Sequence, residues 1–276
     1  MARDMRAQGT AVATLMILLV SGSSGAQWLN HPTPGIPRLP DGKPNLSAPV
    51  PRTADGHPDL SGIWSAGTLD YYMDLAHGLK PGEVQLTPWA AGIRKQRMDR
   101  DHIDDPYAFC LPMGMPRINF RSEFKIVQTP LLTLLLYETY VGMMFRQVFT
   151  DGRPLPKAID SEPTWLGYSV GRWEGDTFVV ETTGLRDRGW LSTREAHPHS
   201  DALHVTERFR RADFGHMDLA ITIDDRKAFV KPWTNRIAMT LRPDTELLEA
   251  FCDNQLAILQ HFRTDPPPPE PPSPRD

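Results

Sequence analysis

The sequence predicts a mainly β protein, built as an antiparallel barrel with an extended N-terminal strap and one or two short helices. From residue 123 onward, runs rich in β-branched and aromatic residues recur, with turn residues every eight to twelve positions. No helical run alternates with them, so parallel βαβ units are not expected. A meander of this kind must hide its edge strands, and closing into a barrel does so.

The composition is that of a globular chain with two unusual ends. Its 276 residues are 40% hydrophobic and 23% charged, which is enough for one large core. The formal charge of −4 favours neither nucleic acid nor an anionic membrane as a partner. Of the 27 prolines, eight lie between Pro32 and Pro58 and seven between Pro266 and Pro274. We therefore expect a proline-rich arm (27–58), a single domain (59–263) and a disordered proline-rich tail (264–276).

Residues 1–26 have the order of a secretory signal peptide. Arg3 and Arg6 precede an apolar run over 11–20, and small residues follow as far as Ala26. The apolar run has ten residues, whereas a membrane-spanning helix needs about 20. We expect cleavage after Ala26, export to the periplasm or the medium, and no membrane insertion of the mature chain.

The mature chain has two cysteines, Cys110 and Cys252. An even number of cysteines in an exported protein favours a disulfide. The bridge would close a loop of about 140 residues. Two separate buried thiols are the alternative.

The elements before the barrel are an arm and a helix. The arm repeats one motif, as Asp41–Ser47 and Asp55–Ser61, which we interpret as turns of a strap that wraps the body. The second copy leads into a first strand at Leu60–Trp64. Residues 86–104 have helix character, with Thr87 as the cap and a proline after it.

Nine further strands are predicted. They are Phe124–Thr129, Leu132–Thr139, Met143–Thr150, Trp165–Trp173, Thr177–Thr183, Leu203–Arg211, Met217–Ile223, Arg236–Leu241 and Leu247–Cys252. The segment Glu174–Asp176 predicts a tight hairpin between two of them. A barrel of about eight to ten strands is wide enough to hold one small ligand.

Three segments of the body resemble a family of exported bacterial proteins. These segments are Phe149–Pro156, Thr164–Gly184 and His199–Arg211. The resemblance covers most of residues 55–255 and implies export, and the barrel is expected to be of the lipocalin-like, or calycin, type. The resemblance implies no particular reaction, so the chemistry is inferred from the residues.

Alternation along the strands places a carboxylate inside the barrel. In Leu203–Arg211 the face that carries Glu207 is otherwise apolar, so Glu207 is expected to point inward. The same alternation puts Arg146 on a face with Val148 and Tyr168 on a face with Val170. The opposite faces of those two strands are also partly apolar, so fewer positions distinguish the inner face of each strand from the outer one.

An inward carboxylate, guanidinium and phenol would together form an acid/base site for an anionic substrate. Phenolic acid decarboxylases look similar in architecture, with Tyr and Arg holding the substrate and a Glu handling protons in a small barrel. On that resemblance we predict a cofactor-independent lyase or isomerase for a small, partly aromatic anion. Arg146 would be the anchor, Tyr168 a hydrogen-bond partner, Glu207 the acid/base and His199 a residue at the mouth. A Glu207–Arg146 ion pair with a purely structural role is the alternative.

Histidines form a second candidate site. Four of them, His197, His199, His204 and His216, fall within twenty residues. Imidazole suits Zn, Cu or Fe, with Asp201 or Glu207 as a third ligand. No carboxylate follows at the short spacing usual for metal-binding double-stranded barrels, so we expect no metal cofactor. A metal-dependent hydrolase using His197, His199 and His216 is the alternative.

A third hypothesis is a non-catalytic binding barrel for a hydrophobic small molecule. Five tryptophans either line such a pocket or fill the core; they are Trp64, Trp165, Trp173, Trp190 and Trp233. Phosphate-binding loops and dinucleotide fingerprints are absent from the sequence. We therefore expect no nucleotide cofactor.

Overall fold

The computed structural model describes residues 32–139, 141, 144–156, 162–249, 252 and 274. These residues form a closed barrel of nine strands. The strands are β1 (Gly62–Ser65), β2 (Phe124–Gln128), β3 (Leu132–Tyr137), β4 (Met144–Phe149), β5 (Tyr168–Glu174), β6 (Thr177–Thr183), β7 (His204–Arg211), β8 (His216–Asp224) and β9 (Trp233–Leu241). Each strand pairs with the next in sequence, and β9 closes the ring on β1. The predicted mainly β barrel is confirmed, and it fits the lipocalin-like type.

One pair of strands departs from the predicted antiparallel order. β4 and β5 are parallel and share only the pairs Val148–Ser169 and Phe149–Val170. The connection between them, 150–167, is long enough to bring the chain back to the same end of the barrel, which a hairpin cannot do. The barrel is therefore mixed, and its β4–β5 seam is short.

Two further strand predictions need correction. The strand expected at Leu247–Cys252 does not form over 245–249, which carry no strand pairing, and residues 250–251 lie outside the described part. β9 already pairs with both β8 and β1, so the closed ring offers no edge for another strand. β9 also begins at Trp233 rather than at Arg236.

Helical segments gather at one end of the barrel. Among the described residues they are α1 (Asp70–Met73), α2 (Pro88–Asp99) and two 3-10 helices, Pro106–Phe109 and Arg117–Phe120. The side chain of Thr87 accepts a hydrogen bond from the first turn of α2, as expected of a cap. We call residues 66–123, 184–203 and 225–232 the cap, because all three segments connect strands at this end.

The opposite end is crossed by the strap, residues 32–61. In its first turn the guanidinium of Arg38 donates to a glycine carbonyl and pairs with Asp244. The second copy of the motif repeats this arrangement with Arg52 and Asp176. Each turn is thus closed by an arginine that also ties the strap to the barrel.

Cys110 and Cys252 are joined in a disulfide, with Cα atoms 5.7 Å apart, which confirms the predicted bridge. It links the cap to the segment after β9. No helix among the described residues is long and apolar enough to cross a membrane. The predicted signal peptide, and all but one residue of the predicted tail, lie outside the described residues.

Candidate functional site

Glu207 lies inside the barrel. It is 0% exposed, and its neighbours on the adjoining strands, Val180 and Ile221, are fully buried and apolar. Val205 and Phe209 flank it on the same face of β7, because alternate residues of a strand share a face. A carboxylate in such surroundings has to be paired or to serve a function.

Arg146, from the middle of β4, meets this carboxylate. Its Nη2 lies 2.6 Å from Oε2 of Glu207, and both side chains are at most 1% exposed. The contact is an ion pair by distance but lacks hydrogen-bond geometry. Oε2 of Glu207 has no hydrogen-bond partner within the described residues, and neither has Nη1, the other terminal nitrogen of Arg146.

The other carboxylate oxygen is held from the cap. Nδ2 of Asn119 donates to Oε1 of Glu207 at 2.7 Å, and the hydroxyl of Tyr137 donates to Oδ1 of Asn119 at 2.9 Å. Burial raises the pKa of Tyr137 well above its usual value; Arg146 opposes this shift and Glu207 reinforces it. The phenol therefore stays protonated and acts as a donor.

Two hydroxyls hold the guanidinium from the β5–β6 side. Arg146 donates from Nε to Ser169 Oγ at 2.9 Å and from Nη2 to Thr182 Oγ1 at 2.6 Å. Burial lowers the pKa of Arg146, but chiefly the charge of Glu207 outweighs that effect and holds it above its ordinary value. The arginine is therefore a permanent cation in the barrel interior.

A groove of about 410 Å³ opens beside Arg146, between β4 and β5. Gly167, which lines the groove just before β5, has φ +65°, a left-handed conformation that favours glycine. A Cβ atom at position 167 would lie 2.6 Å from the carbonyl oxygen of Thr183, so a larger residue does not fit without a shift. The backbone at this edge of the groove therefore requires glycine.

The groove combines aromatic walls with a polar floor. Its apolar lining includes Phe145, Phe149, Trp165, Leu166 and Tyr168. Arg146 and Ser169 also line it, whereas Glu207 does not.

The expectation that Tyr168 faces the interior is wrong. Its hydroxyl accepts a hydrogen bond from exposed Arg153 at 3.0 Å, and its ring stacks on Phe149. The inward position belongs to Ser169, which is paired with inward-facing Val148. Tyr168 contributes to the groove from the outer side of the strand.

His199 does not belong to this site. It is 2% exposed, its Nδ1 lies 3.0 Å from the carbonyl oxygen of Ser200, and its Nε2 packs against Gly189 in the cap. Burial lowers the pKa of both His199 and His197, although Asp74 near His197 acts in the opposite direction. Burial thus favours the neutral form of both rings.

The histidines do not assemble into a metal centre. His216 is exposed and contacts Asp213 at 2.8 Å, away from the buried His197 and His199. In the described part of the chain, no three His, Cys, Asp or Glu side chains are placed to hold a metal ion. The alternative ligand set of His197, His199 and His216 is therefore not brought together.

The sequence reasoning missed three residues of the site: Asn119, Ser169 and Thr182. Thr182 follows Phe178 and Val180 on the inner face of β6, so strand alternation could have found it. Asn119 lies in a short 3-10 helix, where no periodic pattern marks its orientation. The chemical roles of Glu207 and Arg146 stay predictions.

No protein-family model, no curated protein and no solved structure matches this chain. What the site does is therefore inferred from its own geometry.

Proposed function

We propose that the protein binds a small anion with a flat, apolar body in the groove between β4 and β5. The observation that carries this proposal is Arg146. It is a buried cation that lines the groove, and its Nη1 has no hydrogen-bond partner among the described residues. A carboxylate or sulfonate would supply a hydrogen-bond acceptor for Nη1, which is buried and would be reached when the side chain turns toward the groove.

The groove suits an aromatic ligand in size and lining. Its volume of about 410 Å³ falls in the range typical of small-molecule sites. Trp165 and Phe145 offer apolar surface, and an aromatic ring gains from offset or edge contacts with such side chains. The pocket thus combines an apolar wall with one charged anchor, which is the usual pattern of a ligand site.

Catalysis by Glu207 is the second candidate function, in the form of a cofactor-independent lyase. The observation that favours it is Oε2, a buried carboxylate oxygen without a hydrogen bond inside the described structure. A general acid or base has to reach the reacting atom directly or through one water. Glu207 is not among the residues that line the groove, so binding takes precedence over catalysis.

The proposal is tested with 2-naphthoate and its neutral amide, 2-naphthamide, by titration calorimetry. We expect the anion to bind at least about tenfold more tightly, because a hydrogen bond to a charged group contributes about 1.5–3 kcal/mol. Arg146→Met should remove this preference. Arg172→Met is the matched control, since Arg172 lies on the outer face of β5 and pairs with Glu174 and Glu181.

Arg146→Met leaves a buried carboxylate unpaired and is expected to lower stability. The double variant Arg146→Met/Glu207→Leu removes both charges and restores a neutral interior. If the folded double variant still prefers 2-naphthoate over the amide, Arg146 is not the anchor. If the wild-type protein binds neither compound, the proposed ligand class is wrong.

We also propose that the protein works outside the cytoplasm. The disulfide supports this, because such bonds persist in oxidising compartments. N-terminal sequencing of exported material should give Gln27 as the first residue. Exported protein that retains residues 1–26 would contradict the cleavage.

A further inference from the structure

We infer that anion binding in the groove is coupled to the uptake of one proton by Glu207. The inference rests on the proposed function, since it concerns the same groove and the same arginine. It adds a regulatory property, namely that ligand affinity depends on pH through a residue the ligand does not touch.

The Arg146–Glu207 pair has no net charge before a ligand binds. Arg146 carries one positive charge, and the 2.6 Å contact with Glu207 already balances it. A bound anion would add a second negative charge on the same guanidinium. Because both side chains are at most 1% exposed, solvent cannot screen the excess charge. An uncompensated charge in such a place is strongly unfavourable, so one of the two anions is expected to be neutralised.

The surroundings select Glu207 as the group that takes the proton. The groups that face it among the described residues are Arg146 from β4, Tyr137 from β3, Asn119 from the 3-10 helix, Val180 from β6 and Ile221 from β8. Glu207 is the single carboxyl group of this set. Tyr137 is already protonated, because burial raises its pKa.

The hydrogen bonds around Glu207 are compatible with the neutral acid. Asn119 donates to Oε1, and a carbonyl oxygen accepts that bond as well as a carboxylate oxygen does. The proton would come from solvent and bind to Oε2, which has no hydrogen bond to lose within the described structure. Arg146, released from one anion, then pairs with the other.

The experiment is a calorimetric titration with 2-naphthalenesulfonate at pH 7 in phosphate and in Tris. These buffers differ in ionisation enthalpy, and the sulfonate takes up no proton itself, so the difference in heat counts protons bound by the protein. We expect close to one proton per ligand. We also expect the affinity to fall about tenfold per pH unit between pH 6 and 8, because one proton is bound together with each ligand.

The test variant is Glu207→Gln, which keeps the side-chain volume but cannot take up the proton. It should bind the sulfonate with no proton uptake and with an affinity that is constant between pH 6 and 8. Glu181→Gln is the matched control, since Glu181 is partly exposed and pairs with Arg172. It should retain both the uptake and the pH dependence.

The outcomes separate this inference from the function on which it rests. Wild-type protein that binds the sulfonate with neither proton uptake nor pH dependence overturns the coupling and leaves the binding proposal intact. Uptake that persists in Glu207→Gln also overturns it. If folded wild-type protein does not bind the sulfonate, the binding proposal fails and the coupling fails with it. Should Glu207→Gln not fold, the wild-type pH series decides.

Discussion

Two buried arginine–carboxylate pairs, one in the cap and one in the barrel, differ in how completely they are satisfied. Arg117 makes two parallel hydrogen bonds to Asp105, at 3.0 and 2.7 Å, and Thr193 donates to the same carboxylate at 2.7 Å. Arg146 approaches Glu207 through one short contact that lacks hydrogen-bond geometry. The carboxylate and guanidinium of the first pair are bonded to each other and to Thr193, whereas the second pair leaves one donor and one acceptor without a hydrogen bond within the described residues.

The other contacts of Arg117 and Asp105, the pair in the cap, reinforce this difference. Arg117 donates from Nε to the carbonyl of Tyr72 at 3.2 Å and lies 4.4 Å from the centre of its ring. Burial raises the pKa of Asp105, but Arg117 and Thr193 outweigh it and hold that pKa below its ordinary value. A pair with every group satisfied stabilises the fold and has nothing left to offer a ligand.

A third buried arginine, Arg211, is held by hydrogen bonds to carbonyl groups, with Asp59 and Asp213 near enough to act on its charge. Arg211 donates to the carbonyl oxygens of Asp59 and Phe214 and lies 5.0 Å from the centre of the Trp64 ring. Burial lowers the pKa of Arg211 to about 10. Carbonyl groups thus supply the hydrogen bonds of a structural arginine, and the incomplete pair beside a groove calls for a functional explanation.

The largest effect is expected from the disulfide, which tests whether the cap and the groove are independent. Cys110 follows the 3-10 helix that begins after Asp105, so the bridge holds the side of the cap that contains the Arg117–Asp105 pair. Cys110→Ser with Cys252→Ser should lower the free energy of unfolding by about 4–5 kcal/mol in the chain-entropy model. Urea unfolding measures this loss. Binding of 2-naphthoate by the folded variant should not change, and a weakened affinity would show that the cap shapes the groove.

The second largest effect on stability is expected when the arginine of each pair is replaced, which compares the two pairs directly. Arg117→Met should cost about 3–4 kcal/mol, because it leaves Asp105 buried and unpaired. Arg146→Met should cost about 1–2 kcal/mol less, since its pair has fewer hydrogen bonds to lose. Chemical denaturation measures both.

Ligand binding gives the second half of that comparison. Arg117→Met should leave 2-naphthoate affinity unchanged, whereas Arg146→Met should abolish the preference for the anion. Equal stability losses together with equal binding losses would mean that the two pairs do not differ in function.

Acid should lower the free energy of unfolding through two buried histidines of the cap. Burial lowers the pKa of His197 and His199, so the unfolded chain binds protons more readily than the folded one. The contribution of the two neutral rings to the free energy of unfolding is therefore complete above about pH 6.5. It is lost as the pH falls towards the pKa values that the rings have in the folded protein. Each histidine should contribute a slope of up to about 1.4 kcal/mol per pH unit in that window.

Urea unfolding at several pH values between 7.5 and 5 measures this slope. His199→Gln, which cannot be protonated there, should reduce it. A pH-independent stability across this range would show that the two rings are protonated without penalty in the folded protein.

How far the sequence predicts the site depends on how one-sided each strand is. On β7 the face of Glu207 is otherwise apolar, and the side chain lies inside the barrel. On β5 both faces carry apolar residues, so alternation does not decide which face lies inside the barrel. The face predicted to point inward is the outer one, and Ser169 points inward where Tyr168 was expected. Alternation is decisive only where the two faces differ.

The barrel fold was predictable because its strands follow a regular pattern. The parallel pairing of β4 and β5, beside the groove, is the exception. Regular runs and turn residues indicated the barrel, but the parallel β4–β5 pairing depends on the path of a long connection that carries no periodic signal. Gly167, which lines the groove in a left-handed conformation, is one of several glycines in that region of the sequence. The groove is thus a property of tertiary structure that residue patterns do not encode.

The smallest effect is expected at Tyr168, and it separates the groove's outer wall from its charged floor. Tyr168→Phe removes a hydroxyl whose partner in the described structure, Arg153, is exposed and remains paired with Asp151. The free energy of unfolding should therefore change by less than about 0.5 kcal/mol, because solvent replaces such a bond. The ring and its stacking on Phe149 are preserved, so 2-naphthoate affinity should also change by less than about twofold. If the hydroxyl instead bonds to the ligand, as the sequence suggested, the anion and its amide should both lose affinity in Tyr168→Phe. A loss confined to the anion would point to Arg153, held in place by that hydroxyl, as a second cationic anchor beside Arg146.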